Sequence, residues 1–171
     1  AASKIPVWIE GEVGTGKELF ARVIHGGGER AGKPFIAVNC EMLAQDKAEA
    51  ALFGRDASAA DAVHFVLGKL READQGTLLL QEVGALSPLL QQRLFDFLET
   101  GVVTPLGASH PVKLDVRMVC TTSAPLAKSA FNPKLYQRLK AAMITLPSLA
   151  ARKSDIASLA DHFIAMYSAS E

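Results

Sequence analysis

Gly11-Glu12-Val13-Gly14-Thr15-Gly16-Lys17-Glu18 is the stretch on which the fold turns. Gly11, Gly16 and Lys17 stand at the spacing of the Walker A motif, with Glu18 where Ser or Thr commonly follows the lysine. An apolar run precedes the segment and an amphipathic run follows it. Strand, glycine-rich turn and helix are the setting in which a phosphate loop works. Glycines let backbone N–H groups turn inward and approach phosphate oxygens, and the helix N-terminus adds partial positive charge. Lys17 supplies a full charge toward the outer phosphates. The plain alternative is a glycine-rich turn with a chance lysine, and the position between strand and helix counts against it. Glu18 cannot provide the hydroxyl that usually meets Mg²⁺, so the metal is an open point.

Short apolar runs alternate with amphipathic ones along the rest of the chain. Ile5 to Ile9, Phe35 to Val38, Thr77 to Leu80, Val116 to Cys120 and Met143 to Leu146 read as five strands. Pro6 suggests that the first of them does not start as a fully paired central segment. Thr77 to Leu80 is apolar on both faces, as a strand covered by helices on each side should be. Helices are expected over Glu18 to His25, Leu89 to Leu98, Lys134 to Ala142 and Ile156 to Tyr167. The first gathers Leu19, Phe20, Val23 and Ile24 on one side and stops at Gly26-Gly27-Gly28. The second carries a core stripe of Leu90, Leu94, Phe97 and Leu98 and ends at Gly101. Strands alternating with helices predict an α/β fold on a mainly parallel sheet. No repeat, heptad or linker divides the chain, so residues 1–171 read as one domain.

Composition agrees with a globular domain. The 171 residues are 49% hydrophobic and 21% charged, enough for a core and too ordinary for a disordered chain. Eighteen Lys and Arg balance eighteen Asp and Glu, a poor footing for a domain whose main partner is a nucleic-acid backbone. No apolar run approaches the roughly 20 residues that cross a bilayer, and no signal-peptide pattern opens the chain. Cys40 and Cys120 lie in apolar surroundings without metal-ligand spacing, so buried free thiols in a reducing cytoplasm are expected. His25, His64, His110 and His162 show no ligand spacing either, and surface or helix-end places are expected for them.

The phosphate loop resembles the GESGTGKE of the NtrC-like AAA+ enhancer-binding proteins, bacterial activators of sigma-54 RNA polymerase, in which glutamate after the lysine is normal. Similarity continues through Arg22-Val23-Ile24-His25, Lys33 to Cys40 and Leu52-Phe53-Gly54. Gly76 to Val83 resembles GTLFLDEI, and Asp115-Val116-Arg117 resembles the DVR before sensor I. Leu135 to Leu139 resembles DLYYRL, and Leu146 to Ile156 resembles LPPLRERKEDI. The resemblance covers nearly the whole chain in order. It implies a P-loop AAA+ three-layer sandwich on a five-stranded parallel sheet. It implies that Gly11, Glu12, Val13, Gly14, Thr15, Gly16, Lys17 and Glu18 bind the nucleotide, ATP or ADP. Glu82 matches the residue that polarises the attacking water. Asn39 matches the asparagine that holds that glutamate switched off, Thr122 falls at sensor I, and Arg138 matches the second of two trans-acting arginines. Blander roles stay open for each: a polar strand end for Glu82, a salt-bridged helix residue for Arg138, a cap for Asn39 and a local bond for Thr122.

Departures from the family pattern shape the expected function. The GAFTGA loop that contacts sigma-54 is replaced by Arg55-Asp56-Ala57-Ser58-Ala59-Ala60-Asp61-Ala62, without the aromatic and threonine of its tip; alanine favours helix there. Gln81 stands at the Walker B aspartate, and a neutral amide is a weaker partner for Mg²⁺. Sensor I reads Thr122-Ser123 where the family has Thr-Asn, and Asn132 stands at the first trans-acting arginine. The chain ends at Glu171, before a helical lid or helix-turn-helix, as a fragment of a longer regulator would. The leading expectation is a cytoplasmic, nucleotide-binding regulatory AAA+ domain with weak or no ATPase, outside ordinary sigma-54 activation. It would self-associate into a dimer or ring, reach RNA polymerase through its parent protein, and meet DNA only through another module. No protein-held metal site and no membrane contact are expected, although Mg²⁺ could accompany the nucleotide. The alternatives are an active ATPase that remodels sigma-54 polymerase and a structural scaffold that binds no nucleotide.

Overall fold

Alternation along the strands sorts the apolar side chains onto two faces of one sheet. In the computed structural model, residues 4–56, 65–124, 126 and 131–168 are described. Among them five strands run parallel: β1 (Val7–Glu10), β2 (Phe35–Asn39), β3 (Thr77–Gln81), β6 (Arg117–Thr122) and β7 (Ala142–Thr145), in the order β2-β3-β6-β1-β7. Two short strands, β4 (Val102–Val103) and β5 (Val112–Lys113), pair antiparallel outside this sheet. Val7, Ile9, Leu79 and Val119 face Ala21 of α1 (Lys17–Gly26). Trp8, Leu78, Leu80, Met118 and Cys120 face the larger core on the other side. That core is closed by α2 (Ala48–Phe53), α3 (Lys69–Glu72), α4 (Pro88–Thr100) and α5 (Pro133–Leu139). Helices on both faces of a parallel sheet make the three layers the sequence predicts. A last helix, α6 (Asp155–Ser168), follows the 3-10 turn Leu149–Arg152.

Local chemistry explains most boundaries. Ser87 caps α4, with Pro88 at the first helical position and left-handed Gly101 beyond its end. The stripe Leu90, Leu94 and Phe97 is buried, and Leu98 packs at its margin. Gly76 must be glycine because a Cβ there would stand 2.1 Å from the Pro34 carbonyl oxygen.

One expectation holds and two are corrected. β1 is paired on both sides, with β6 and β7, only from Val7 on, so Ile5 and Pro6 stay outside the paired segment as Pro6 suggested. The apolar side assigned to α1 is not its buried side: Leu19 and Val23 are 60% and 63% exposed, while Ala21 and His25 face the sheet. The small Ala21 lets the helix lie close to the strands, and buried His25 satisfies its Nδ1 at 2.9 Å from Thr77 Oγ1. The helix expected over Lys134 to Ala142 stops at Leu139, and Ala142 already belongs to β7. Of the segment replacing GAFTGA, Ala57 to Ala62 lies outside the described residues. Its stem is described: Arg55 and Val66 exchange backbone hydrogen bonds of 2.8 and 3.0 Å, and the Asp56 N–H donates to Leu106 O at 2.9 Å.

Candidate functional site

Parallel strands bring their carboxyl ends to one edge, where open α/β sheets place ligands. Register puts Asn39 beside Gln81 and Glu10 beside Thr122 at that edge. The phosphate loop springs from Glu10 and wraps the start of α1. Gly14 and Gly16 take φ of 81° and 86°, a region costly to side chains. Arg152 Nη2 donates to the Thr15 carbonyl at 2.7 Å, and Thr15 Oγ1 donates to the Glu12 carbonyl at 2.8 Å. The loop is therefore braced from inside and from the turn after β7. A cavity of about 370 Å³ opens between it and Asn39, Glu41, Gln81, Glu82, Thr121 and Ser123.

Lys17 and Glu82 meet in this cavity. Lys17 Nζ donates to the carbonyls of Gly11 and Glu12, at 2.8 and 3.1 Å, and lies 3.4 Å from Glu82 Oε1. Glu82 has a left-handed backbone, φ 49° and ψ 52°, at the turn leaving β3. Its Oε2 accepts from both the Ser123 N–H and the Ser123 hydroxyl at 2.8 Å. Asn39, matched by resemblance to the residue that holds this glutamate, instead accepts from the Glu41 N–H and caps the turn Cys40–Met42. Thr122 bonds locally: its hydroxyl donates to the Ala124 carbonyl. The period of a strand puts Thr121 and Ser123 on the cavity and Thr122 away from it. Sequence reasoning therefore missed Ser123 and Arg152 as site residues.

Glu18, which follows the loop lysine, and Gln81, at the Walker B aspartate position, touch each other. Gln81 Nε2 donates to Glu18 Oε2 at 2.7 Å, and Arg22 donates to Glu18 Oε1 from Nε and Nη2. The Arg22 hydrogen bonds hold the Glu18 carboxyl below its usual range, against a smaller opposing effect of burial. Both Glu18 oxygens thus already accept from nitrogen, and Gln81 brings no anionic oxygen. Among the described residues no group of three or more His, Cys, Asp or Glu is placed to hold a metal ion. Gln81 and the paired Glu18 do not suit Mg²⁺ as direct ligands, an ion held by one or two carboxylates, substrate phosphates and retained waters. The P-loop, by contrast, suits a nucleotide's phosphates.

The arginine positions lie elsewhere. Asn132 caps α5, its Oδ1 accepting from the N–H groups of Lys134 and Leu135. Arg138 pairs with Glu99 at 2.8 Å, near Lys4, Pro6 and Asp115 at the amino edge of the sheet. The structure does not bring Arg138 to the phosphate loop of its own chain. Cys40 and Cys120 are buried free thiols, as expected. Burial, with the Glu82 and Glu41 charges, pushes the Cys40 thiol up to about 12. No helix among the described residues is long and apolar enough to cross a membrane.

A five-stranded parallel sheet carrying a braced phosphate loop at its carboxyl edge, with a carboxylate facing the loop lysine, defines a P-loop AAA+ domain. The chain belongs to the Sigma-54 interaction domain family, whose pattern matches residues 1–145. A Nif-specific regulatory protein of Rhodobacter capsulatus is 41% identical over 169 residues, 96% of this chain and 29% of that protein. The phenol regulator MopR of Acinetobacter guillouiae is 40% identical over 172 residues, 98% of this chain and 31% of that protein. The chain thus spans less than a third of these two relatives. NtrX from Brucella abortus, crystallised with ATP, matches at a TM-score of 0.85 and 33% identity over 95% of this chain and 37% of that one. The same protein crystallised with ADP matches at a TM-score of 0.86, with the same identity and coverage.

Proposed function

We propose that residues 1–171 form the nucleotide-binding regulatory core of a longer bacterial transcription regulator, one that takes ATP or ADP but does not drive sigma-54 polymerase in the usual way. The braced phosphate loop carries the nucleotide half of this reading: left-handed Gly14 and Gly16, with Lys17 at the head of α1. NtrX, similar across 95% of this chain, was crystallised with both nucleotides. Phosphates would accept from the loop N–H groups, and Lys17 would exchange the Gly11 and Glu12 carbonyls for phosphate oxygens. Calorimetry of the full-length protein with ATP and ADP tests this. Lys17→Ala should weaken binding by about 1.5–3 kcal/mol, the worth of a charge-assisted phosphate contact. Absence of heat and of thermal stabilisation at millimolar nucleotide would leave the scaffold reading in its place.

The polymerase half is carried by the sequence at Arg55 to Ala62, which offers a partner neither the aromatic nor the threonine of GAFTGA. Self-association into a dimer or ring, contact with polymerase through the parent protein and DNA binding through another module complete the proposal. Pull-down of sigma-54 with an ATP transition-state analogue should capture nothing above background; stable nucleotide-dependent capture contradicts it. Glu82, poised beside Lys17, favours a second reading, an active ATPase.

A further inference from the structure

Gln81 ends β3 and Glu18 opens α1, and the two side chains close on each other at the mouth of the phosphate loop. The Gln81 amide donates at 2.7 Å to one Glu18 oxygen while Arg22 donates to the other. A carboxylate at position 81 could not make this contact. Two carboxylates that close repel unless a proton or a cation sits between them. An amide N–H removes the repulsion and makes the pair complete as it stands. The next carboxylate, Glu82, is also engaged: Ser123 donates twice to one oxygen, and Lys17 lies 3.4 Å from the other. Mg²⁺ dehydrates reluctantly and needs oxygen ligands in near-octahedral array. To bind here on Glu18 or Glu82 it would have to displace nitrogen donors already in place. What remains for phosphate is the metal-free equipment of the loop: the start of a ten-residue helix, and Lys17.

We propose that the Gln81–Glu18 hydrogen bond stands in for the divalent cation, so that this site binds the free nucleotide, without Mg²⁺. The proposal rests on the nucleotide-binding reading above and specifies the ligand's form. Arg22 neutralises Glu18, and Gln81 holds it by a hydrogen bond, so that its charge does not confront the phosphates unpaired. Restoring a carboxylate with Gln81→Asp replaces that donor with a second negative charge, and the pair again demands a cation.

The test is calorimetric titration of the full-length protein with ATPγS, once in excess Mg²⁺ and once in EDTA. Binding in EDTA should be at least as tight as in excess Mg²⁺, which complexes the ligand and lowers the concentration of its free form. Gln81→Asp should bind about tenfold or more weakly in EDTA than in Mg²⁺, because the restored carboxylate pair repels without a cation. Tighter binding in Mg²⁺ than in EDTA by the unaltered protein overturns the proposal, as does a Gln81→Asp variant indifferent to Mg²⁺. The measurement on the unaltered protein decides by itself if the variant does not fold. Heat in neither condition overturns the nucleotide-binding reading, and this proposal with it; heat in Mg²⁺ alone overturns only this proposal.

Discussion

Asp115 shows how single residues tie the sheet's amino edge together. Arg30, almost fully buried, donates to the carbonyls of Gly76 and Asp115 and to the Asp115 carboxylate, each at 2.9 Å. Lys4 adds a second, more exposed partner at 3.0 Å. The Arg30 hydrogen bond, with Lys4 behind it and burial opposing, holds the Asp115 carboxyl below its usual range. A carboxyl lowered in the folded state stabilises at every pH above its unfolded value and loses that contribution as pH falls through its folded one. The urea stability gap between the native protein and Asp115→Asn should therefore be constant from neutral pH downward and narrow below about pH 4. A gap unchanged into strong acid would show that the ion pair contributes nothing. Glu82 is the other residue set by its surroundings. Its left-handed backbone is one that L-residues avoid by about 1–2 kcal/mol, and the 3-10 turn Val83–Ala85 follows it directly. That conformation aims its carboxylate at Ser123 and Lys17, on the cavity side of the sheet edge.

Elements are held where backbones touch, and glycine marks those places. Gly76 lies just before β3, where its carbonyl accepts from the Arg117 N–H while the Thr77 N–H donates to Pro34. Any side chain would overlap the Pro34 carbonyl. Gly76→Ala should therefore destabilise by several kcal/mol, about the upper range for point substitutions, or prevent folding. Chemical denaturation or soluble yield reads this out, and a loss under about 1 kcal/mol would contradict the close approach. Sequence reasoning found this scaffold well, because buried parallel strands and a capped α4 leave strong local signals. It failed where a signal was tertiary. The apolar side of α1 looked like its core face, yet Ala21 and His25 meet the sheet. At the site, the phosphate loop was legible because glycine and lysine spacing is itself the chemistry. Ser123 was not, because the period of β6 had to be anchored before the cavity side of Thr121-Thr122-Ser123 was known. Asn132 did carry a local signal, Asn followed by Pro at a helix start, which resemblance to an arginine position overshadowed. The contact between Arg138 and Glu99 joins α5 to α4 and leaves no trace in sequence spacing.

At the scale of the whole molecule, catalysis would need parts from more than one chain, and their state decides how much hydrolysis to expect. If Glu82 orients the attacking water and the loop amides with Lys17 hold the ground state, as proposed, binding should suffer less than hydrolysis. Gln81 is committed to Glu18 and leaves the site without the carboxylate that Mg²⁺ wants. Asn132 is committed to capping α5 and supplies no positive charge. A trans-acting arginine is worth about 10³–10⁵ in rate where measured in other phosphoryl-transfer systems. Arg138 could partly take that place in a neighbouring copy: its pair with Glu99 is half exposed on both sides, and such surface pairs contribute only about 0–1 kcal/mol. Most of the activity should therefore be lost, with a residue that depends on assembly. The comparison that tests this is steady-state phosphate release by the full-length protein before and after Gln81→Asp combined with Asn132→Arg. The second change removes a helix cap worth about 1 kcal/mol, so thermal unfolding must accompany it. Release should be near background in the unaltered protein and rise in the double variant. If the unaltered protein already turns over at an ordinary AAA+ rate and Glu82→Gln abolishes that turnover, Arg138 and Glu82 suffice without the missing groups. The active-ATPase reading then replaces the one proposed here.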